Sequence, residues 1–120
     1  LSYTTFEYSN LQTDKKVLKD GESVTLTVDI KNTGKLQAYE ICQIYMHDPL
    51  SEFSRPVKQL IAFKKLLILP GKTQTVSFIF PPETFAVLNS QYSAVIERGL
   101  IELFAGRNSR DLIKTIIELV

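Results

Sequence analysis

The chain holds 120 residues, which is one domain rather than two at roughly 100–200 residues per domain. Hydrophobic residues make up 44% and charged residues 22%, a balance that excludes a disordered chain. Lys+Arg number 14 and Asp+Glu 13, so the net charge of +1 gives no electrostatic reason to expect nucleic acid or an anionic membrane as partner. One His, one Cys and no Trp make a thin catalytic inventory, which argues against a self-contained enzyme. The lone Cys42 cannot form an intrachain disulfide and reports no redox compartment. It lies in an apolar run and reads as a buried structural thiol rather than a nucleophile. The longest aliphatic run, Leu66-Leu67-Ile68-Leu69, falls far short of the roughly 20 residues a membrane span needs. No N-terminal stretch reads as a signal peptide. The chain starts at Leu1 rather than Met, as a piece cut from something longer does, so the sequence leaves localisation unknown.

Period-2 alternation dominates from one end to the other. Tyr3 to Tyr8 reads as a first strand, rich in Thr and aromatics. Ser23 to Lys31 is the clearest element, with Val24, Leu26, Val28 and Ile30 pointing one way and polar residues the other. Glu40 to His47 places Cys42, Ile44 and Met46 on one side, and Ile41, Gln43 and Tyr45 on the other. Its apolar character on both sides predicts a central position. Leu60 to Leu69 is compatible with a strand or a helix, and its length and the following Pro70-Gly71 favour the strand. Thr73 to Phe80 alternates through Val76, Phe78 and Phe80 and stops at Pro81-Pro82. Phe85 to Leu88 and Ser93 to Glu97 are two short runs around Asn89-Ser90-Gln91, which predicts a hairpin. Leu100 to Ala105 and Leu112 to Val120 supply the last pair, joined by the polar turn Gly106-Arg107-Asn108-Ser109. Asp20-Gly21, Asn32-Thr33-Gly34, Pro70-Gly71, Arg98-Gly99 and Gly106 all fall between runs, where tight turns are needed. The pattern predicts an all-β domain, an antiparallel sandwich in preference to a small barrel. Asp48 to Pro56 is the expected irregular exposed stretch.

The candidate chemistry is sparse. His47-Asp48 offers a base or a metal ligand, but no second His exists to complete a zinc set, and solvated loop residues are the preferred reading. Glu97 and Glu102 flank a turn and Glu118 sits on the last strand. Glycosidases use paired carboxylates about 5–9.5 Å apart, yet the sequence cannot place these in one concave site, and polar-face positions on strands are the preferred reading. Ser2, Ser9 and Ser109 lack a nucleophile-elbow pattern, and no glycine cluster resembles a phosphate loop, so no cofactor is expected. Tyr3, Tyr8, Tyr39, Tyr45 and Tyr92 suit sugar stacking, but core or interface packing is preferred. Lys15-Lys16, Lys58 and Lys64-Lys65 are scattered among acidic residues and read as solvated surface.

A resemblance runs along almost the whole chain. Leu1-Ser2-Tyr3-Thr4-Thr5-Phe6 resembles the segment that opens the C-terminal fibronectin type III-like domain of family-3 glycoside hydrolases, the β-glucosidase family. Asn32-Thr33-Gly34 and Glu40-Ile41-Cys42-Gln43-Ile44-Tyr45 are similar to the family's Asn-Thr-Gly turn and Glu-Val-x-Gln-x-Tyr strand. Asp48-Pro49, Arg55-Pro56-Val57-Lys58-Gln59-Leu60, Phe63, Leu69-Pro70-Gly71, Glu97-x-Gly99 and Gly106-x-x-Ser109-x-Asp111 continue the match in order. Ala38, Ala62, Lys72 and Asn108 depart from the family pattern at turns and surfaces.

The resemblance implies an immunoglobulin-like, fibronectin type III-like sandwich over residues 1–120, excised from a larger hydrolase and without catalytic residues of its own. The implied partners are the upstream catalytic domains of that parent, with no nucleic acid and no membrane. A fragment so cut is expected to expose apolar surface and to be able to self-associate. The expected interdomain surface comprises Leu1, Tyr3 and Phe6 of the first strand with Phe53, Arg55 and Pro56 of the loop. Arg55 is the expected polar anchor, because its planar fork suits bidentate pairing with a carboxylate. The competing expectation is a stand-alone immunoglobulin-like module that binds carbohydrate or protein.

Overall fold

The computed structural model describes residues 5–19, 21–47, 58–89 and 99–120. Among them the chain forms strands β1 (Phe6–Thr13), β2 (Val17–Leu18), β3 (Val24–Asn32), β4 (Ala38–His47), β5 (Gln59–Ile68), β6 (Thr73–Phe80), β7 (Gly99–Gly106) and β8 (Leu112–Leu119), with a 3-10 helix at Pro82–Asn89. One sheet has the order β1-β3-β6 and the other β2-β8-β7-β4-β5. All pairings are antiparallel except the short β2–β8 contact, which is parallel. The two sheets face each other as a sandwich, as the alternation predicts.

The core follows from the phase of that alternation. On β3, Val24, Leu26, Val28 and Ile30 are fully buried, and on β4 so are Cys42, Ile44 and Met46. Leu66 and Ile68 of β5, Val76, Phe78 and Phe80 of β6, Ile101 and Leu103 of β7, and Ile117 and Leu119 of β8 close the interior. Each fully buried Leu or Ile stabilises the fold by about 1.5–3 kcal/mol relative to exposure. β4 has β5 on one side and β7 on the other, so its expected central position holds.

Three sequence expectations need correction. The first strand does not stop at Tyr8 but continues to Thr13. One extra residue enters between the pairs Ser9↔Asp29 and Gln12↔Thr27, and Asn10 takes a positive φ of 56° there. This bulge shifts the inward phase from Phe6 and Tyr8 to Leu11 and Thr13, which breaks the alternation on which strand reading depends. Second, Val17–Leu18 forms a short strand too brief to show a period. Third, Phe85 to Leu88 is not a strand but part of the 3-10 helix. Pro82 at its first position supplies a fixed φ, and the Thr84 amide donates to the Pro81 carbonyl at 3.0 Å. Phe85 is still buried, so an apolar residue is kept here without a strand. The other half of the expected hairpin, Ser93 to Glu97, lies outside the described residues.

Candidate functional site

Among the described residues two polar ones sit inside the sandwich, and each continues a buried apolar row by one further step of two. Asn32 follows Val24, Leu26, Val28 and Ile30 in phase, and Glu40 precedes Cys42, Ile44 and Met46 in phase. The Asn32 side chain is fully buried and satisfied. Its Nδ2 donates to the Ile68 carbonyl at 2.8 Å and the Leu36 carbonyl at 2.9 Å, and its Oδ1 accepts from the Gly34 amide at 2.8 Å. Its backbone amide donates to the Lys72 carbonyl, and its carbonyl accepts from the Gly71 amide. Gly71 holds a φ of 76°, a conformation that side chains with a Cβ rarely adopt. The Thr33 amide donates to the Thr5 carbonyl at 2.9 Å, and the Thr5 and Thr33 hydroxyls are hydrogen-bonded. The Asn-Thr-Gly turn, the Pro-Gly turn and the start of β1 thus meet around one amide side chain that ties β3 to β5 across the two sheets.

The second buried polar group also bridges the layers. The Tyr8 hydroxyl on β1 donates to Glu40 Oε2 on β4 at 2.9 Å. Burial, followed by the neighbouring Cys42 and Glu40, pushes the Tyr8 hydroxyl far above its usual range, so it remains a proton donor to the carboxylate. Burial and the neighbouring Glu40 charge push the Cys42 thiol up to about 12. A thiol so placed holds its proton and is no nucleophile, in agreement with the structural role expected for it.

His47 ends β4, as the strand Glu40 to His47 predicts, but its side chain is not simply solvated: Glu102 lies directly opposite it in the middle of β7. Its Nδ1 lies 2.8 Å from Glu102 Oε1, while Lys114 Nζ lies 3.1 Å from Glu102 Oε2. The hydrogen bond from His47 leads the effects that hold the Glu102 carboxyl below its usual range. Lys114 adds to it, while partial burial opposes both. A carboxylate with both oxygens engaged and its acidity increased is not poised as a general acid at neutral pH. Cross-strand register made this pair, and no sequence spacing announces a partner 55 residues away.

Of the expected interdomain residues, Leu1, Tyr3, Phe53, Arg55 and Pro56 lie outside the described residues. Phe6 opens β1, packs against the core, and has the Arg107 guanidinium 5.9 Å from its ring centroid. The Gly106–Asp111 motif is a close-approach turn. A Cβ on Gly106 would lie 2.0 Å from the Asp111 carbonyl oxygen, and Asn108 Oδ1 accepts from the amides of Arg110 and Asp111.

Sequence reasoning missed the outward face of the larger sheet. Tyr39 and Ile41 of β4, with Leu60, Phe63 and Leu67 of β5, are exposed on it, as are Leu100 of β7 and Ile116 of β8. Phe63 is 67% exposed and Tyr39 62%. Lys65 Nζ sits 4.6 Å from the Tyr39 ring centroid and Lys58 Nζ 5.1 Å from that of Phe104. The signal was present in the two-sided apolarity of Glu40–His47 and Leu60–Leu69, which at Glu40–His47 reads only as the sign of a central strand. Among the described residues a dimple between Leu18, Pro82, Phe85 and Leu119 has room for no more than about one water molecule. Among the described residues no three His, Cys, Asp or Glu side chains group as a metal site, and no helix is long and apolar enough to cross a membrane.

Comparison with known proteins agrees with this architecture. The fibronectin type III-like domain family matches residues 40–109. The thermostable β-glucosidase B of Acetivibrio thermocellus is 40% identical over 94% of this chain and 15% of its own length. A β-xylosidase of Formosa agariphila is 34% identical over 97% of this chain and 16% of its own. The crystal structure of a β-glucosidase from Listeria innocua in complex with glucose superposes with a TM-score of 0.85 at 37% identity, covering 99% of this chain and 16% of that one. The chain therefore spans about one-sixth of the length of the relatives it matches. With its two-sheet sandwich, its ordered turn motifs and this shared segment, the chain belongs to the fibronectin type III-like domain family, in the form found within β-glucosidases and β-xylosidases of the family-3 glycoside hydrolases.

Proposed function

We propose that residues 1–120 form the non-catalytic C-terminal accessory domain of a family-3, β-glucosidase-like glycoside hydrolase, and that the domain braces the catalytic domains of that enzyme. The observation that carries this reading is the match of nearly the whole chain to about one-sixth of several glycosidases. The chain's own chemistry points the same way. Cys42 is buried with its proton held, Glu40 is bonded to Tyr8, and His47 and Glu102 engage each other. In this reading Arg55 is the polar anchor to a carboxylate on the catalytic side, with Leu1, Tyr3, Phe6, Phe53 and Pro56 as its apolar surroundings.

The test compares the full-length enzyme with a version lacking this segment, and with Arg55→Ala. Bracing predicts a lower melting temperature and lower activity on deletion, and a smaller loss of the same kind for Arg55→Ala. A parent that keeps its melting temperature and activity without the segment overturns the brace. A second reading, a carbohydrate-binding module, is favoured by the exposed Tyr39 and Phe63 rings, since aromatic faces stack on sugars. Titration of the chain with cello- and xylo-oligosaccharides separates the two: a brace shows no saturable binding, and a module does.

A further inference from the structure

The strands at the edges of a sheet expose unpaired backbone groups to a neighbouring chain unless something blocks them. Among the described residues the edges are β1 and β6 of one sheet, and β2 and β5 of the other. Three of them carry a block of their own. β1 is broken by the bulge at Asn10, and β2 is two residues long. β5 has its own irregularity, where Ile61 enters between the pairs Ile44↔Ala62 and Tyr45↔Leu60. β6 carries none. Thr73–Phe80 has no charged residue, no Pro and no Gly, is built mostly from Thr, Val, Ile and Phe, and pairs with β3 in unbroken register. That is the composition of segments that pair with copies of themselves.

The block on β6 comes from β5. The inward row of β5 is Ala62, Lys64, Leu66 and Ile68: Leu66 and Ile68 are buried, Ala62 packs against the core, and Lys64 lies opposite the fully buried Cys42. A lysine in that row breaks the alternation for a reason the core does not supply. Its head leaves the interior at the open side of the sandwich. There Nζ lies 5.6 Å from the Phe78 ring centroid and reaches the Ser77 carbonyl of β6 at 3.4 Å. In the other direction, Gln74 Nε2 of β6 donates to the Leu67 carbonyl of β5 at 2.6 Å. Backbone groups along an antiparallel strand alternate between facing the partner and facing away. The Ser77 carbonyl faces away from β3, so those of Thr75 and Ile79 share its edge. Lys64 thus sets a positive charge midway along the line where another strand would pair.

We propose that Lys64 guards the β6 edge, and that without its charge β6 pairs antiparallel with β6 of a second copy of this chain. The occupant follows from the strand itself. Two copies of an uncharged strand meet without like-charge repulsion, and their pairing joins two three-stranded sheets into one. With Lys64 in place, the same pairing would bring two ammonium groups to the seam and strip them of water. The inference concerns the chain's own edge and is independent of the accessory-domain reading.

Lys64→Met tests this, because the unbranched thioether keeps the cover over Phe78 and loses the charge and the bond to Ser77. In sedimentation of the 120-residue chain, wild type is expected as a monomer and Lys64→Met as dimers or larger species. Amide exchange at Thr75 and Ser77 is expected to be several-fold slower in the associated form. Lys64→Arg keeps the charge and is expected to stay monomeric. Adding Ser77→Lys to Lys64→Met sets like charges against each other across the new pair and is expected to restore the monomer. Lys64→Ala repeats the test without a new side chain, so a packing fault peculiar to Met does not decide it. Monomeric Lys64→Met and Lys64→Ala chains contradict the proposal and leave Lys64 as cover for Phe78. Association that Ser77→Lys does not reverse, or that leaves the Thr75 and Ser77 amides exchanging freely, overturns the choice of β6. Wild type that self-associates with these amides protected overturns the guard.

Discussion

The outer faces of the two sheets share one backbone plan and one alternation, yet they differ in chemistry. On the three-stranded sheet, Asp29 accepts from Thr75 and from Asn10, and Ile79 is the exposed large apolar side chain on β6. On the five-stranded sheet, Tyr39, Ile41, Leu60, Phe63 and Leu67 are exposed on β4 and β5 with Lys65 over the Tyr39 ring, while Glu102 on β7 is paired with His47 and Lys114. A strand that is buried on one face needs apolar residues only at every second position. Apolar residues at the other positions lie outside the core of this domain. The difference separates what the chain needs in order to fold from what it exposes.

Substitutions on β4 sharpen that separation most. Ile44 and Ile41 are chemically the same residue on opposite faces of one strand. In the isolated chain, Ile44→Ala should cost about 2–5 kcal/mol of unfolding free energy, through lost burial and the cavity left behind. Ile41→Ala there should stay within about 1 kcal/mol, as surface changes do. Chemical denaturation checks both, and equal costs would break the distinction between the faces.

Next in size is Asn32→Ala, which strips partners from the Ile68 and Leu36 carbonyls and the Gly34 amide. At about 1 kcal/mol for each hydrogen bond lost, the expected cost is about 2–3 kcal/mol, read from the same denaturation curves. Tyr8→Phe removes one donor from the buried Glu40 carboxylate and should cost about 1–3 kcal/mol. A neutral Tyr8→Phe would mean that the bond does not hold the two layers together.

The smallest effect is the response to acid, and it involves one carboxylate on each outer face. Glu102 and Asp29 both have carboxyl groups held below their ordinary values of 4.5 and 3.8. For Asp29 the main cause is the hydrogen bond from Thr75, and for Glu102 the bond from His47. A depressed folded value means the stabilisation is present above the ordinary value and is lost as pH falls through the folded one. Stability should therefore decline below about pH 4.5, and Glu102→Gln and Asp29→Asn should each flatten that decline in melting curves taken across pH.

Much of this was legible in the residues. The inward rows of β3, β4 and β6 follow directly from Val24–Ile30, Cys42–Met46 and Val76–Phe80, and the turn motifs fall where the chain reverses. Three things were not legible, each for a physical reason. A bulge at Asn10 hides the second half of β1 because it shifts the phase by one residue. At Phe85 a 3-10 helix rather than a strand buries the aromatic ring, and a four-residue apolar run is too short to tell the two apart. The His47–Glu102–Lys114 group is assembled by pairing between distant strands, which the order of residues does not encode locally. The buried Asn32 and Glu40 were within reach, since each extends an apolar row by two, but a polar residue at the end of a row reads as the place where burial stops.

Amide hydrogen exchange at core positions such as Ile44 and Val28, compared between the isolated chain and the full-length enzyme, tests the central claim most directly. A domain that braces its neighbours is itself stabilised by them, because the coupling is reciprocal. The account predicts slower exchange of these amides in the full-length enzyme, and equal rates in the two contexts would contradict it.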